Sequence, residues 1–165
     1  MKISISNLSE GVHEYHFTAE PALLGLADNF ANEFAVHVTL DKSGRELLLK
    51  ARASVPGKFV CDRCVDPFDR QIEAAYQIVY VYDDRDRGKY SDDEVQVIHS
   101  GTTAIDLDDD LRQYLLLAVP LKLLCQDSCR GLCPHCGTNW NRSRCSCQSE
   151  EIDPRWQVLK KRFSN

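Results

Sequence analysis

The apolar positions of this chain alternate twice between residues 34 and 53. Phe34, Val36, Val38 and Leu40 share one face, Asp41-Lys-Ser-Gly44 supplies turn residues, and Leu47, Leu49, Ala51 and Ala53 resume the alternation. Two period-two runs around a polar turn predict a β-hairpin. A further run of Ile72, Ala74, Tyr76, Ile78, Tyr80 and Tyr82 holds the same period with aromatic and branched residues and predicts a long third strand. Residues 83–94 lose the pattern and predict an exposed loop, and residues 95–98 a short strand. Leu107, Leu111, Tyr114, Leu115 and Ala118 then recur at helical spacing behind Asp108, Asp109 and Asp110, with Pro120 close after. Acidic residues at the start suit the helix dipole, so residues 106–118 are expected to be helical.

Beyond residue 120 periodicity gives way to cysteine. Residues 121–147 have too little apolar order to fold by burial, so their fold is expected to come from metal. Asp153-Pro154 then resembles an N-cap and first turn, with Trp156, Leu159 and Phe163 on one face, which predicts a short basic C-terminal helix. The expected class is α+β. Residues 1–120 form an antiparallel β-sheet domain with one helix, and residues 121–165 form a small cysteine-rich zinc-binding C-terminal segment. A length of 165 residues, 43% apolar and 27% charged, suits one ordinary core with an appendage.

The eight cysteines change the picture most. Residues 1–11 are broken by polar side chains and offer no secretory apolar core, and no run reaches membrane-spanning length. The expectation is therefore cytoplasmic, where thiols stay reduced and metal binding replaces disulfides as the reading of paired cysteines. The pairs are Cys61 with Cys64, Cys125 with Cys129, Cys133 with Cys136, and Cys145 with Cys147. Two thiolates two residues apart can both reach one ion through a tight turn, and Gly137 after Cys136 permits the left-handed backbone such a turn uses. Four pairs suit two structural zinc ions, with iron–sulfur ligation the alternative, since four thiolates suit either metal. Of three possible groupings, Cys133 and Cys136 with Cys145 and Cys147 is favoured because it closes a short loop. That leaves Cys61 and Cys64 with Cys125 and Cys129. Cys145 and Cys147 would point apart on an extended strand, so Ser146 is expected in a turn. His135 reads as a spacer between ligands.

Other chemistry is excluded residue by residue. Residues 83–94 place Asp83, Gly88 and Glu94 like a calcium loop, but Arg85 and Arg87 stand where carboxylates should chelate. A zinc deaminase needs His-x-Glu and Pro-Cys-x-x-Cys, and neither occurs. Phosphate-binding, nucleophile-elbow and zinc-protease motifs are likewise missing.

The runs CDRCVDPF at 61–68, LLLAVPLKLLCQDSCRGLCPHCGTNWNRSRCSC at 115–147 and DPRWQVLKKRF at 153–163 resemble, in order, the YceD family of bacteria and plastids. The resemblance implies a role in accumulation of large-subunit ribosomal RNA, with no enzymatic activity. Its bacterial genes tend to lie beside one for a zinc-ribbon ribosomal protein. It also implies that Cys61 and Cys64 are the family's front pair, and that the other six cysteines form a rear cluster found in some members. The acidic segment 83–94 has no counterpart in that pattern.

The expected function is a non-catalytic ribosome-assembly factor that binds large-subunit ribosomal RNA precursor, a ribosomal protein, or both, with no membrane and no small-molecule substrate. Charge is uneven: residues 1–119 carry 12 Lys/Arg against 21 Asp/Glu, and residues 120–165 carry 8 against 4. Arg142, Arg144, Lys160 and Lys161 are the candidate RNA-binding residues of that basic end. The acidic stretch 83–110, with 10 Asp/Glu against 3 Lys/Arg, would instead suit a basic ribosomal protein. A second reading is a redox-switched zinc chaperone, since Cys-x-Cys and Cys-x-x-Cys on one zinc can release metal on oxidation.

Overall fold

The computed structural model describes residues 1–91 and 94–147. The expected C-terminal helix, with Lys160 and Lys161, lies outside the described residues. In chain order the elements are β1 (Lys2–Ser4), β2 (Gly11–Ala19), β3 (Phe34–Ser43), β4 (Glu46–Val60), β5 (Pro67–Val81), α1 (Asp84–Arg87), β6 (Val95–Val97), β7 (Ala104–Asp106) and α2 (Asp108–Ala118).

Strands β2 to β6 make one sheet in sequence order, and β1 pairs with β7 in a separate ribbon. The predicted hairpin is β3–β4, turned at Gly44, whose φ of 59° is left-handed. The predicted third strand is the second half of β5. Both long strands run well past their periodic stretches, paired from Glu46↔Val81 to Val60↔Pro67. Pro56 and Gly57 therefore lie inside β4 rather than at its end. A Cβ on Gly57 would stand 2.6 Å from the Phe59 ring and 3.0 Å from Phe30, so glycine there makes room for the edge-to-face pair Phe30–Phe59.

One expectation needs correcting. The sheet is mixed, because β6 pairs with β5 in parallel, from Val79↔Val95 to Val81↔Val97. Alternation along a strand does not encode its direction. The clue is burial: Ile78, Val79, Tyr80 and Val81 are all buried, the continuous apolar signature of a strand covered on both faces. The connection from β5 to β6 is a crossover whose described residues include the single turn α1, capped by Asp83, which accepts from the Arg85 N–H at 3.0 Å. Tyr90 anchors this segment by donating to Glu46 at 2.8 Å and packing on Val79, Val81 and Val95.

The main core lies on one face of the sheet. Leu40, Leu47, Leu49, Val55 and Ile78 share one buried cluster with Leu107, which precedes α2, with Leu111 and Leu115 of α2, and with Leu24, Leu26 and Phe30. Tyr114 stacks on Tyr76 with ring centroids 4.4 Å apart, seating α2 on β5. The helix starts two residues later than expected because the Asp106 carboxylate accepts the Asp108 N–H at 3.2 Å in a turn before it. On the opposite face His37, Lys50, Arg52 and Glu73 are exposed.

Candidate metal centres

The β4–β5 hairpin ends in the loop Cys61-Asp-Arg-Cys64-Val-Asp66, and its hydrogen bonds explain the shape. The Cys61 N–H donates to the Asp66 carbonyl and the Val65 N–H to the Cys61 carbonyl, both at 2.9 Å. Residues 133–138 repeat the pattern: the Cys133 N–H donates to the Thr138 carbonyl and the Gly137 N–H to the Cys133 carbonyl, again at 2.9 Å. In both loops the residue after the second cysteine is left-handed, Val65 at φ 56° and Gly137 at φ 72°. The two knuckles are copies of one turn, and only the second carries the glycine that such a backbone favours.

Each knuckle gathers a second cysteine pair. Cys61, Cys64, Cys125 and Cys129 form one group, and Cys133, Cys136, Cys145 and Cys147 the other, with every sulfur in a group within 4.8 Å of the rest. This is the grouping that short loop closure favoured. Residues 143–147 belong to no helix, strand or turn, so the turn expected at Ser146 is not there, yet the irregular backbone still lets the Cys145 and Cys147 sulfurs converge. In the first group the Cys61 and Cys129 sulfurs are 3.8 Å apart and those of Cys64 and Cys125 3.7 Å. Four sulfurs at about 2.3 Å from a tetrahedral ion stand about 3.8 Å from one another. Each group can therefore hold a metal ion.

Electrostatics point the same way. Burial acts to raise the Cys61 thiol, but hydrogen bonds, led by the Cys125 and Cys64 backbones, outweigh it and bring the group down to about 6. Cys125 in the same group is pushed up to about 12 by burial and by its cysteine neighbours. In the second group Cys136 is lowered to about 6, chiefly by the Thr138 hydroxyl, while Cys147 is raised to about 12 by its bond to Cys136 and by burial. Cys145 is lowered as well, first by the Trp140 indole N–H, so each group holds at least one thiol that ionises readily beside one, Cys125 or Cys147, that resists, as like charges must. A divalent cation between them is what lets all four ionise.

The groups are set at different depths and locked together. Cys61, Cys64 and Cys129 are buried under Phe68, Leu124 and Leu132, whereas Cys136 and Cys147 are exposed. The Arg63 side chain donates to the Cys129 carbonyl at 2.8 Å, and the Arg63 carbonyl accepts the Leu132 N–H at 3.1 Å. Gly131 sits at this contact with φ +77°, and a Cβ there would meet the Arg63 oxygen at 2.9 Å. Asp66 accepts from Asn139 at 2.8 Å and from Arg142 at 3.0 Å. Asn141 accepts the Arg130 backbone N–H at 2.8 Å and donates to the Cys129 sulfur at 3.2 Å. Residues of the second loop thus support the first metal group.

Of the expected RNA-binding residues, Arg142 is engaged with Asp66, Arg144 is exposed beside the second group, and Lys160 and Lys161 fall outside the described residues. Sequence reasoning passed over Asp66, Asn139, Trp140 and Asn141. Their signal was present as an Asn-Trp-Asn run between two ligand pairs, a place where polar side chains have metal-site backbone to satisfy. Trp140 donates its indole N–H to the Cys145 sulfur at 3.3 Å. Among the described residues no helix is long and apolar enough to cross a membrane.

Comparison with known proteins agrees with the sequence resemblance. An uncharacterized protein of Mycobacterium tuberculosis is 27% identical over 167 residues, covering 96% of this chain and 79% of its own. A protein of Mycobacterium bovis matches to the same extent. A chloroplastic protein of Arabidopsis thaliana, named large ribosomal RNA subunit accumulation protein YCED homolog 1, is 35% identical over 49 residues, 30% of this chain and 15% of its own. No solved structure matches the chain. The model of the family described as large ribosomal RNA subunit accumulation protein YceD matches residues 49–161, a span holding the hairpin knuckle, α2 and all eight cysteines, and the chain belongs to that family.

Proposed function

We propose that the protein is a non-catalytic, cytoplasmic assembly factor for the large ribosomal subunit, binding large-subunit ribosomal RNA precursor, a ribosomal protein, or both. The family description supports the ribosomal part. The donor sets support the non-catalytic part, and they are the observation that carries it: four sulfurs fill a tetrahedral ion and leave no position for water or substrate. We assign one structural zinc to each group. Zinc there would cross-link residues 125–147, which are poor in apolar side chains, to the hairpin tip and hold a fixed surface outward. In this reading Arg144, with Lys160 and Lys161, meets RNA, and Arg142 braces the loop that carries Arg144.

Two experiments test this. Elemental analysis of anaerobically purified protein is expected to give close to two zinc ions per chain, and iron with sulfide absorbance would overturn the metal assignment. Deleting the gene is expected to lower mature large-subunit ribosomal RNA relative to small-subunit RNA on sucrose gradients. Normal ratios under optimal and cold growth would refute the assembly role. The exposed sulfurs of Cys136 and Cys147 favour the redox-switched chaperone as the second reading, and peroxide-driven zinc release with new holdase activity would select it.

A further inference from the structure

Beside the second cysteine group, Arg130, Trp140, Arg144, Cys145 and Cys147 line an open hollow of about 520 Å³. Trp140 is 36% exposed there, so part of its ring is open to the hollow in a segment otherwise short of apolar surface. The ring is fixed in place. Its indole N–H bonds the Cys145 sulfur at 3.3 Å, and its backbone N–H bonds the Gly131 carbonyl at 3.0 Å. Arg130 and Arg144 are exposed on either side of it in the chain. Among the described residues neither has a carboxylate partner, whereas the nearby Arg142 is paired with Asp66 at 3.0 Å.

A rigid indole face calls for a planar, weakly polar group, and two unpaired guanidinium groups call for an anion. An unpaired nucleotide carries both in one unit, with a base to stack and a phosphate on each side. A duplex keeps its base faces covered, and a peptide supplies planar ring and flanking negative charge only from separate residues. We propose that this hollow is a shelf for single-stranded RNA, on which one base stacks on Trp140 while Arg130 and Arg144 hold the adjoining phosphates. The proposal rests on the assembly-factor reading and names the surface through which that role meets RNA.

The test uses the full-length, zinc-loaded protein and a short fluorescently labelled single-stranded RNA of mixed sequence, with the same sequence as a duplex for comparison. Trp140→Ala is expected to weaken strand binding roughly 5- to 150-fold, the range one stacked base covers, and Trp140→Phe to recover most of it. Arg144→Glu is expected to weaken binding and flatten its salt dependence. The duplex should bind more weakly and ignore Trp140→Ala. Zinc content is measured for each variant. If Trp140→Ala loses metal through its bond to Cys145, Arg144→Glu, which touches no sulfur, decides the matter alone. Strand binding unchanged in Arg144→Glu and in zinc-loaded Trp140→Ala overturns the shelf, as does failure of the wild-type protein to bind the strand. Loss of ribosomal-protein binding in these variants with RNA binding intact also overturns it. The two readings fail separately: normal subunit ratios in the deletion strain remove the assembly role while a Trp140-dependent strand affinity leaves the shelf standing.

Discussion

Replacing Gly131 by alanine tests whether the rear loop is held by its contact with the hairpin knuckle. At φ +77° an alanine is strained by about 1 kcal/mol. Its Cβ would also stand 2.9 Å from the Arg63 carbonyl oxygen, so the two loops must part by about 0.5 Å to reach ordinary contact. That movement stretches the Leu132 N–H bond to the same oxygen from 3.1 Å to about 3.6 Å, beyond useful hydrogen-bond length. Losing it costs about 0.5 to 1.5 kcal/mol. The total, about 1.5 to 2.5 kcal/mol, is a 10- to 70-fold rise in local opening, roughly. Gly137→Ala is the matched control: its φ is +72°, but nothing lies within 4 Å of the added Cβ. It should show the strain alone, about fivefold. Native-state amide exchange at Leu132 and Trp140, whose N–H groups bond Arg63 and Gly131, reads both. Equal effects of the two substitutions would refute the clash, and unchanged exchange in both would refute the docking of the loops.

Three further outcomes follow from the same geometry. Val65→Gly should stabilise the zinc-loaded protein by about 0.5 to 1 kcal/mol, because an exposed β-branched residue leaves the left-handed region; a lowered melting temperature would contradict this. Cys133→Ser should remove one metal ion and the exchange protection of residues 133–147 while the core strands keep theirs, and global loss of protection would mean the second site supports the whole core. Asp106→Ala should cost about 0.5 to 1.5 kcal/mol at neutral pH by removing the acceptor of the Asp108 N–H just ahead of α2. The Asp108 N–H, with the Met1 ammonium and Lys2 nearby, holds the Asp106 carboxyl below its usual range. Its contribution is therefore full above about pH 4 and lost as pH falls further, and a cost that persisted unchanged at pH 2, roughly, would refute it.

How much could be read in advance varied with the physics of each element. Strands β3 and β4 and residues 72–78 of β5 were legible because one face is buried and the other is wet, so apolar residues alternate. Strand β2 was not, because its inward side chains His13, Tyr15 and Phe17 are only half-buried and mix polar with aromatic character. The three-residue strands β1 and β7 are too short to show a period, yet Ile3 and Ile105 reach the core. The extension of β4 and β5 to the cysteine loop was hidden by Pro56 and Gly57, of which the glycine reflects crowding by Phe30 and Phe59. The cysteine grouping was accessible from spacing and loop length alone. The polar bridge from Asp66 through Asn139 to Arg142 was not, since it joins residues with no local pattern in common.

The two metal groups differ in how far along the chain they must reach, and this sets an order for their making during synthesis. The second is complete within fifteen residues, from Cys133 to Cys147. The first opens with Cys61 and Cys64, yet Cys125 lies 61 positions after Cys64. At roughly 5 to 20 residues per second that interval is about 3 to 12 s. Throughout it the nascent hairpin offers an unfinished dithiol at its tip, open to copper, to oxidants or to a chaperone. Cys129 then completes the first group 18 residues before Cys147 completes the second, so the long-range site can close first and the self-contained one follows.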